Sequence, residues 1–145
     1  MPFLLDSTVA NLRKIALVST SVLLITGCIN PVKQQQQQLA GAWRISSIDG
    51  VVIKHVGPAK MLFSAEGKVT GNNGCNKFIG SYQPVGDHLN LSSLGTTRMA
   101  CGGYADTVER AFNQAVAKVE HFLVKGNELF LTNEQDVAVI SLIAE

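Results

Sequence analysis

Tight-turn signals recur through this 145-residue chain at roughly the 8–12-residue spacing of a small all-β fold. Asp49-Gly50, Glu66-Gly67, Pro84-Val85-Gly86-Asp87 and Lys125-Gly126-Asn127 are the clearest. Asp-Gly is a strong hairpin signal, because both central residues of the favoured turn need positive φ. The runs between the turns are short and rich in Val, Ile, Leu and Phe. They predict strands over 39–45, 51–53, 60–65, 68–71, 78–83, 88–91, 119–124, 128–132 and 137–143. Such a series predicts a mainly β chain folded as a compact antiparallel sheet or barrel.

One segment breaks the rhythm. Asp106-Thr107-Val108-Glu109 has the form of a capping box. Val108, Phe112, Ala115, Val116 and Val119 then recur at helical spacing. A single amphipathic helix is expected here, packed on one side of the sheet. The plain reading of its apolar stripe is core packing. The fold class is therefore α+β with β dominant.

The chain holds three cysteines, Cys28, Cys75 and Cys101. The first closes a leader. Arg13 and Lys14 precede the apolar run IALVSTSVLLI and then Ile25-Thr26-Gly27-Cys28. This is the layout of a secretory signal peptide. The run is too short and too rich in Ser and Thr for a comfortable membrane span. The stretch before Arg13 is unusually apolar for a signal peptide, which admits a start later than Met1. The ending resembles the bacterial lipobox, which implies acylation of Cys28 by palmitate-like chains and cleavage before it. Several acyl chains hold a protein on a membrane stably. Ile29, rather than Asp, follows the cysteine, and by resemblance to sorted lipoproteins this implies the outer membrane, facing the periplasm. The expected organisation is residues 1–27 as lipoprotein signal peptide, 28–38 as lipidated flexible linker and 39–145 as the domain. The linker contains Pro31 and five successive glutamines at 34–38, and is read as a spacer reaching roughly 30 Å.

Cys75 and Cys101 remain, in an oxidising compartment, and a disulfide between them is expected. It closes a loop of some 26 residues, a constraint of about 3–4 kcal/mol. Two other uses of these thiols find less support. A metal centre would need Cys-x-x-Cys or histidines at ligand spacing, and His55, His88 and His121 are scattered. A nucleophilic Cys75 or Cys101 would need His88 or His121 beside it, and nothing in the sequence joins them.

Charge narrows the partners. Residues 1–27 carry two of the 12 basic and one of the 11 acidic residues, leaving ten of each. No basic stripe points to nucleic acid. No nucleotide loop, triad motif or dinucleotide fingerprint points to an enzyme or a cofactor. Arg98, in the second cysteine turn, could clamp a carboxylate or phosphate. Its plainer role is to brace neighbouring loop carbonyls or an acid. Asn72, Asn73 and Asn76 could read a sugar. Their plainer role is to supply positive-φ turn geometry.

Four motifs then fall in order: Leu39-x-Gly41-x-Trp43, Gly74-Cys75-Asn76-x-Phe78-x-Gly80-x-Tyr82, Leu89-x-Leu91, and Thr96-Thr97-Arg98-Met99-Ala100-Cys101. With these the chain resembles the META domain family, the HslJ-like heat-shock lipoproteins of bacterial envelopes. The resemblance implies a small antiparallel lipocalin-like or cracked barrel with one helix. It implies a role in heat shock, drug tolerance or, in some pathogens, motility or virulence, and supplies no catalytic residue to carry over. The expected function is a non-enzymatic envelope-stress or assembly factor, held to the membrane through Cys28 and contacting an envelope protein. The alternative is a hollow barrel binding an apolar ligand such as a fatty acid. It stands against the tendency of small barrels to fill themselves with side chains.

Overall fold

The computed structural model describes residues 30–54 and 59–145. The expected signal peptide, Cys28, Ile29 and His55 lie outside the described residues. The elements are α1 (Pro31–Leu39), β1 (Gly41–Ile48), β2 (Val51–Val52), β3 (Lys60–Phe63), β4 (Lys68–Asn72), β5 (Lys77–Val85), β6 (His88–Thr96), α2 (Gly103–Val116), β7 (His121–Lys125), β8 (Glu128–Thr132) and β9 (Ala138–Ala144).

Every strand pairing is antiparallel, and β9 returns to pair with β1. Eight strands thus close into a barrel, and β2 extends β1 as a short hairpin arm. Asp49 and Gly50 have φ of 46° and 78°, as a two-residue turn of opposite hand to the common type requires. A register shift between Ile45 and Ser47 breaks the alternation of β1, so that Ile45 and Ile48 both face inward. Gly71 sits opposite Phe78 across β4 and β5. A Cβ at Gly71 would overlap the Phe78 ring and the Lys60 carbonyl, so only glycine lets these backbones meet.

The seam between β6 and β7 is thin. It has one register pair, His88 with His121, flanked by backbone bonds from Leu89 N to Glu120 O (2.8 Å) and from Phe122 N to Asp87 O (2.9 Å). Beyond that point α2 faces β6 across grooves that Val116 lines together with Leu91 and with Leu94, and it packs against β1 and β9. Val108, Phe112 and Ala115 are buried, as the apolar stripe predicts, and the Phe112 ring stacks on Phe78 at 5.2 Å. The barrel is therefore cracked along one seam and covered there by the helix.

The helix begins at Gly103, four residues earlier than a cap at Asp106 would start it. Gly102 and Gly103 have φ of 73° and 61° and turn the chain into the helix without a side-chain cap. Asp106 accepts instead from the Cys101 amide (3.2 Å), and Glu109 from Asn76.

The expected flexible spacer differs most from what is found. Residues 31–39 form a helix, with Pro31 in its first turn and the Asn30 side chain accepting from Val32 N at 3.0 Å. Val32, Gln35, Gln36 and Leu39 face the barrel, at helical spacing. Leu39 is fully buried, and its carbonyl accepts from Trp43 Nε1 at 2.8 Å. The Gln36 carbonyl accepts from the Tyr82 hydroxyl (3.3 Å), and Gln35 Nε2 donates to Gly86 O. Two of the four inward positions are glutamine, so hydrophobic periodicity does not reveal this face. Glutamine is nonetheless a good helix former.

Candidate functional site

The two cysteine turns meet at one end of the barrel. Cys75 and Cys101 are bonded, with Cα atoms 5.8 Å apart, and Cys75 is buried while Cys101 is exposed. Two buried amides lock the turns. Asn73 Oδ1 accepts from the amides of Cys75 (3.3 Å) and Asn76 (2.7 Å), and its Nδ2 donates to Asn113 Oδ1 on α2. Asn76 Oδ1 accepts from Thr97 Oγ1 and Met99 N, each at 2.7 Å. Its Nδ2 donates to Met99 O (3.1 Å) and Glu109 Oε1 (2.9 Å). Asn76 thus ties both cysteine loops to the helix, and each polar atom of its buried side chain has partners.

The asparagines do not supply positive φ. Among the described non-glycine residues only Asp49 and Asp136 do, and in this turn the left-handed position belongs to Gly74 (φ 108°). Asn72 and Asn73 act as acceptors that fold the turn back on itself, Asn72 Oδ1 taking the Gly74 amide at 2.7 Å. Asn73 is fully buried with both ends of its amide engaged, so it is not free to read a ligand.

The sulfurs of Cys75 and Cys101 and a carboxylate oxygen of Asp106 lie within 4.8 Å of one another. The bond between the sulfurs removes the thiolates that a metal or a nucleophilic mechanism would use. His88 follows directly after the β5–β6 turn at the far end of β5 and pairs with His121, so neither is placed as a base for these sulfurs.

Arg98 is exposed and forms no hydrogen bond or ion pair among the described residues, so the expected bracing is not found. Met99 beside it is 57% exposed. Tyr104 is also exposed, and its hydroxyl accepts from Lys54 N at 3.3 Å. That bond brings the hairpin arm, with exposed Val51 and Val52, beside the start of α2. One end of the barrel therefore displays an apolar rim with an unengaged guanidinium, on a covalently fixed base.

A second cluster has no signature in the sequence. The His88 and His121 rings lie 4.3 Å apart at the β6–β7 seam. His121 Nδ1 is buried without a hydrogen-bond partner among the described residues, 3.5 Å from Asp136 Oδ1 and 3.7 Å from Asp87 Oδ2. Both carboxylates are largely exposed. The two histidines are brought together by the strand stagger of the closed barrel, which no local spacing encodes.

The barrel interior is occupied. Ile45, Met61, Phe63, Val69, Leu129, Leu131, Ile140 and Leu142 are each at most 2% exposed and belong to one packed core. Two grooves lie outside it. One of about 470 Å³ follows β6 beside the end of α2, and one of about 500 Å³ lies between α1 and β7.

None of the curated proteins matches the chain. Among solved structures, it is similar to an NMR structure of a protein from Burkholderia xenovorans, with 20% identity and a TM-score of 0.62, over 100% of this chain and 99% of that one. A second NMR structure is 18% identical with a TM-score of 0.61, over 77% of this chain and 93% of its own. At these identities the likeness is one of fold. The META domain model matches residues 35–144, and the chain belongs to the META domain family.

Proposed function

We propose that this protein is a periplasm-facing lipoprotein of the outer membrane, anchored through Cys28, that works in envelope stress or assembly by contacting another protein rather than by catalysis. The observation that carries the reading is the contrast at the disulfide end. Its buried amides are satisfied and its turns are cross-linked, yet Arg98, Met99, Tyr104, Val51 and Val52 are left exposed on it. Aromatic, Met and Arg side chains on a rigid base are the composition of a protein contact. The filled interior speaks against the fatty-acid alternative. A photo-cross-linking residue at Met99 or Val52 should capture a discrete envelope protein in intact cells, and one at Ser92 on the barrel wall should not. The same adducts from all three positions would remove the basis for a specific contact. A deletion strain should be sensitised to heat or to a bulky hydrophobic antibiotic, and Cys28→Ser should complement poorly. Turnover of a substrate by the purified domain would end the non-enzymatic reading.

A further inference from the structure

We infer that α1 is a mount that lays the barrel directly on the lipid surface, with the disulfide end pointing away from it. This rests on the proposal that Cys28 carries the lipid. The first helical residue is Pro31, three residues after Cys28. Three residues span at most about 10 Å, against the roughly 30 Å of an extended ten-residue spacer. The helix is fixed to the barrel by Leu39, by Tyr82 on the Gln36 carbonyl, and by Gln35 on the Gly86 carbonyl. The domain therefore has no long tether on which to rise.

The helix face turned from the barrel suits the occupant. Pro31, Lys33, Gln34, Gln37 and Gln38 are exposed, and the face carries one cation and no acid. Glutamine side chains donate to phosphate and ester oxygens, and a lysine favours anionic headgroups. A lipid surface is the partner, because the acylated residue lies within that reach of this same face. At the far end, Lys77 pairs with Asn72 while Val85 lies beside the turn to β6. The nine residues of β5 run roughly 26 Å along the strand, from Lys77 at the disulfide end to Val85 at the end where α1 is docked. Arg98, Met99 and Tyr104 would thus meet partners at a fixed height above the headgroups.

The test uses full-length lipidated protein in vesicles of phosphatidylethanolamine and phosphatidylglycerol doped with a nickel-chelating lipid. Nitroxides are placed singly at Gln34→Cys or Gln37→Cys, and at Arg98→Cys or Thr107→Cys. Relaxation by the surface nickel should be several-fold stronger at 34 and 37 than at 98 and 107. Ten Gly/Ser residues inserted between Ile29 and Asn30 should level the two sets. Vesicle-bound protein with equal relaxation at both ends would overturn the mount and leave the lipid anchor standing. Protein that stays out of the vesicle fraction would overturn the lipid anchor, and the mount with it.

Discussion

The two ends of the barrel are closed by different chemistry. At one end a disulfide joins two turns, and the buried amides of Asn73 and Asn76 satisfy the loop backbone around it. At the other a nine-residue helix is docked by one buried leucine and by side chains bonded to backbone carbonyls. A helix this short is marginal in isolation, so its order depends on the dock. The covalent end resists heat but answers to reductant. The docked end ignores reductant and answers to whatever weakens one hydrophobic contact or one hydroxyl. Under the proposed stress role, an exposed rim on the first kind of end would be the advantageous arrangement.

The largest effect should come from cutting the staple. Cys75→Ala with Cys101→Ala should cost about 3–4 kcal/mol, the loop-closure value for a loop of this length. Each kcal/mol moves Tm by roughly 4–8 °C in a domain of this size. Thermal unfolding of the double variant, and of wild type in dithiothreitol, should show the same drop. An unchanged Tm would mean that the amide network alone fixes this end.

Next comes Leu39→Ala, at about 3 kcal/mol for a buried leucine whose site cannot collapse fully. Hydrogen exchange should rise over residues 31–39 and leave the cysteine turns protected. Uniform exchange across both ends would mean that they unfold as one unit. Gly71→Ala should follow, at about 2 kcal/mol, because its methyl group meets the Lys60 carbonyl and the Phe78 ring. The damage should reach α2 through the Phe78–Phe112 stack, visible as changed chemical shifts at Phe112 and Ala115 and unchanged ones in α1.

The ends also differ in how far the sequence discloses them. Asp-Gly and Gly-Asn turns, the Cys75–Cys101 pair and the apolar stripe of Val108, Phe112 and Ala115 are local or countable, and each stands where expected. The docked end is hidden, because its inward face mixes Leu39 with Gln35 and Gln36, and its fixing bonds go to carbonyls that any sequence supplies. The His88–His121 contact is hidden for another reason: it joins residues 33 apart through the closure of the whole barrel. The start of α2 is misread because Asp106 and Glu109 mimic a cap while serving the cysteine loops. At the docked end and at Glu109, a polar group is engaged by a distant part of the chain.

The smallest effect is expected at high pH. Tyr82 is buried, packs edge-on against Phe63 at 4.9 Å, and its one hydroxyl proton is shared between Ser64 O (2.6 Å) and Gln36 O (3.3 Å). Tyr82→Phe should cost about 1 kcal/mol at neutral pH, because the carbonyls that share this proton lose it. Burial raises the Tyr82 pKa above that of a free tyrosine, and the nearby Glu66 charge adds to the rise. The folded state thus holds this proton more tightly than the unfolded state. Its contribution is complete below the unfolded pKa of about 10 and is lost as pH climbs above it. Urea midpoints should therefore fall more steeply for wild type than for Tyr82→Phe as pH rises beyond about 10, whereas lysine titration affects both alike. The loss should begin at α1, with Gln34 labels gaining mobility before labels near Cys101 do. Parallel midpoints for the two proteins would show that the hydroxyl does not hold the helix, leaving this end to Leu39 and the Gln35 and Trp43 bonds.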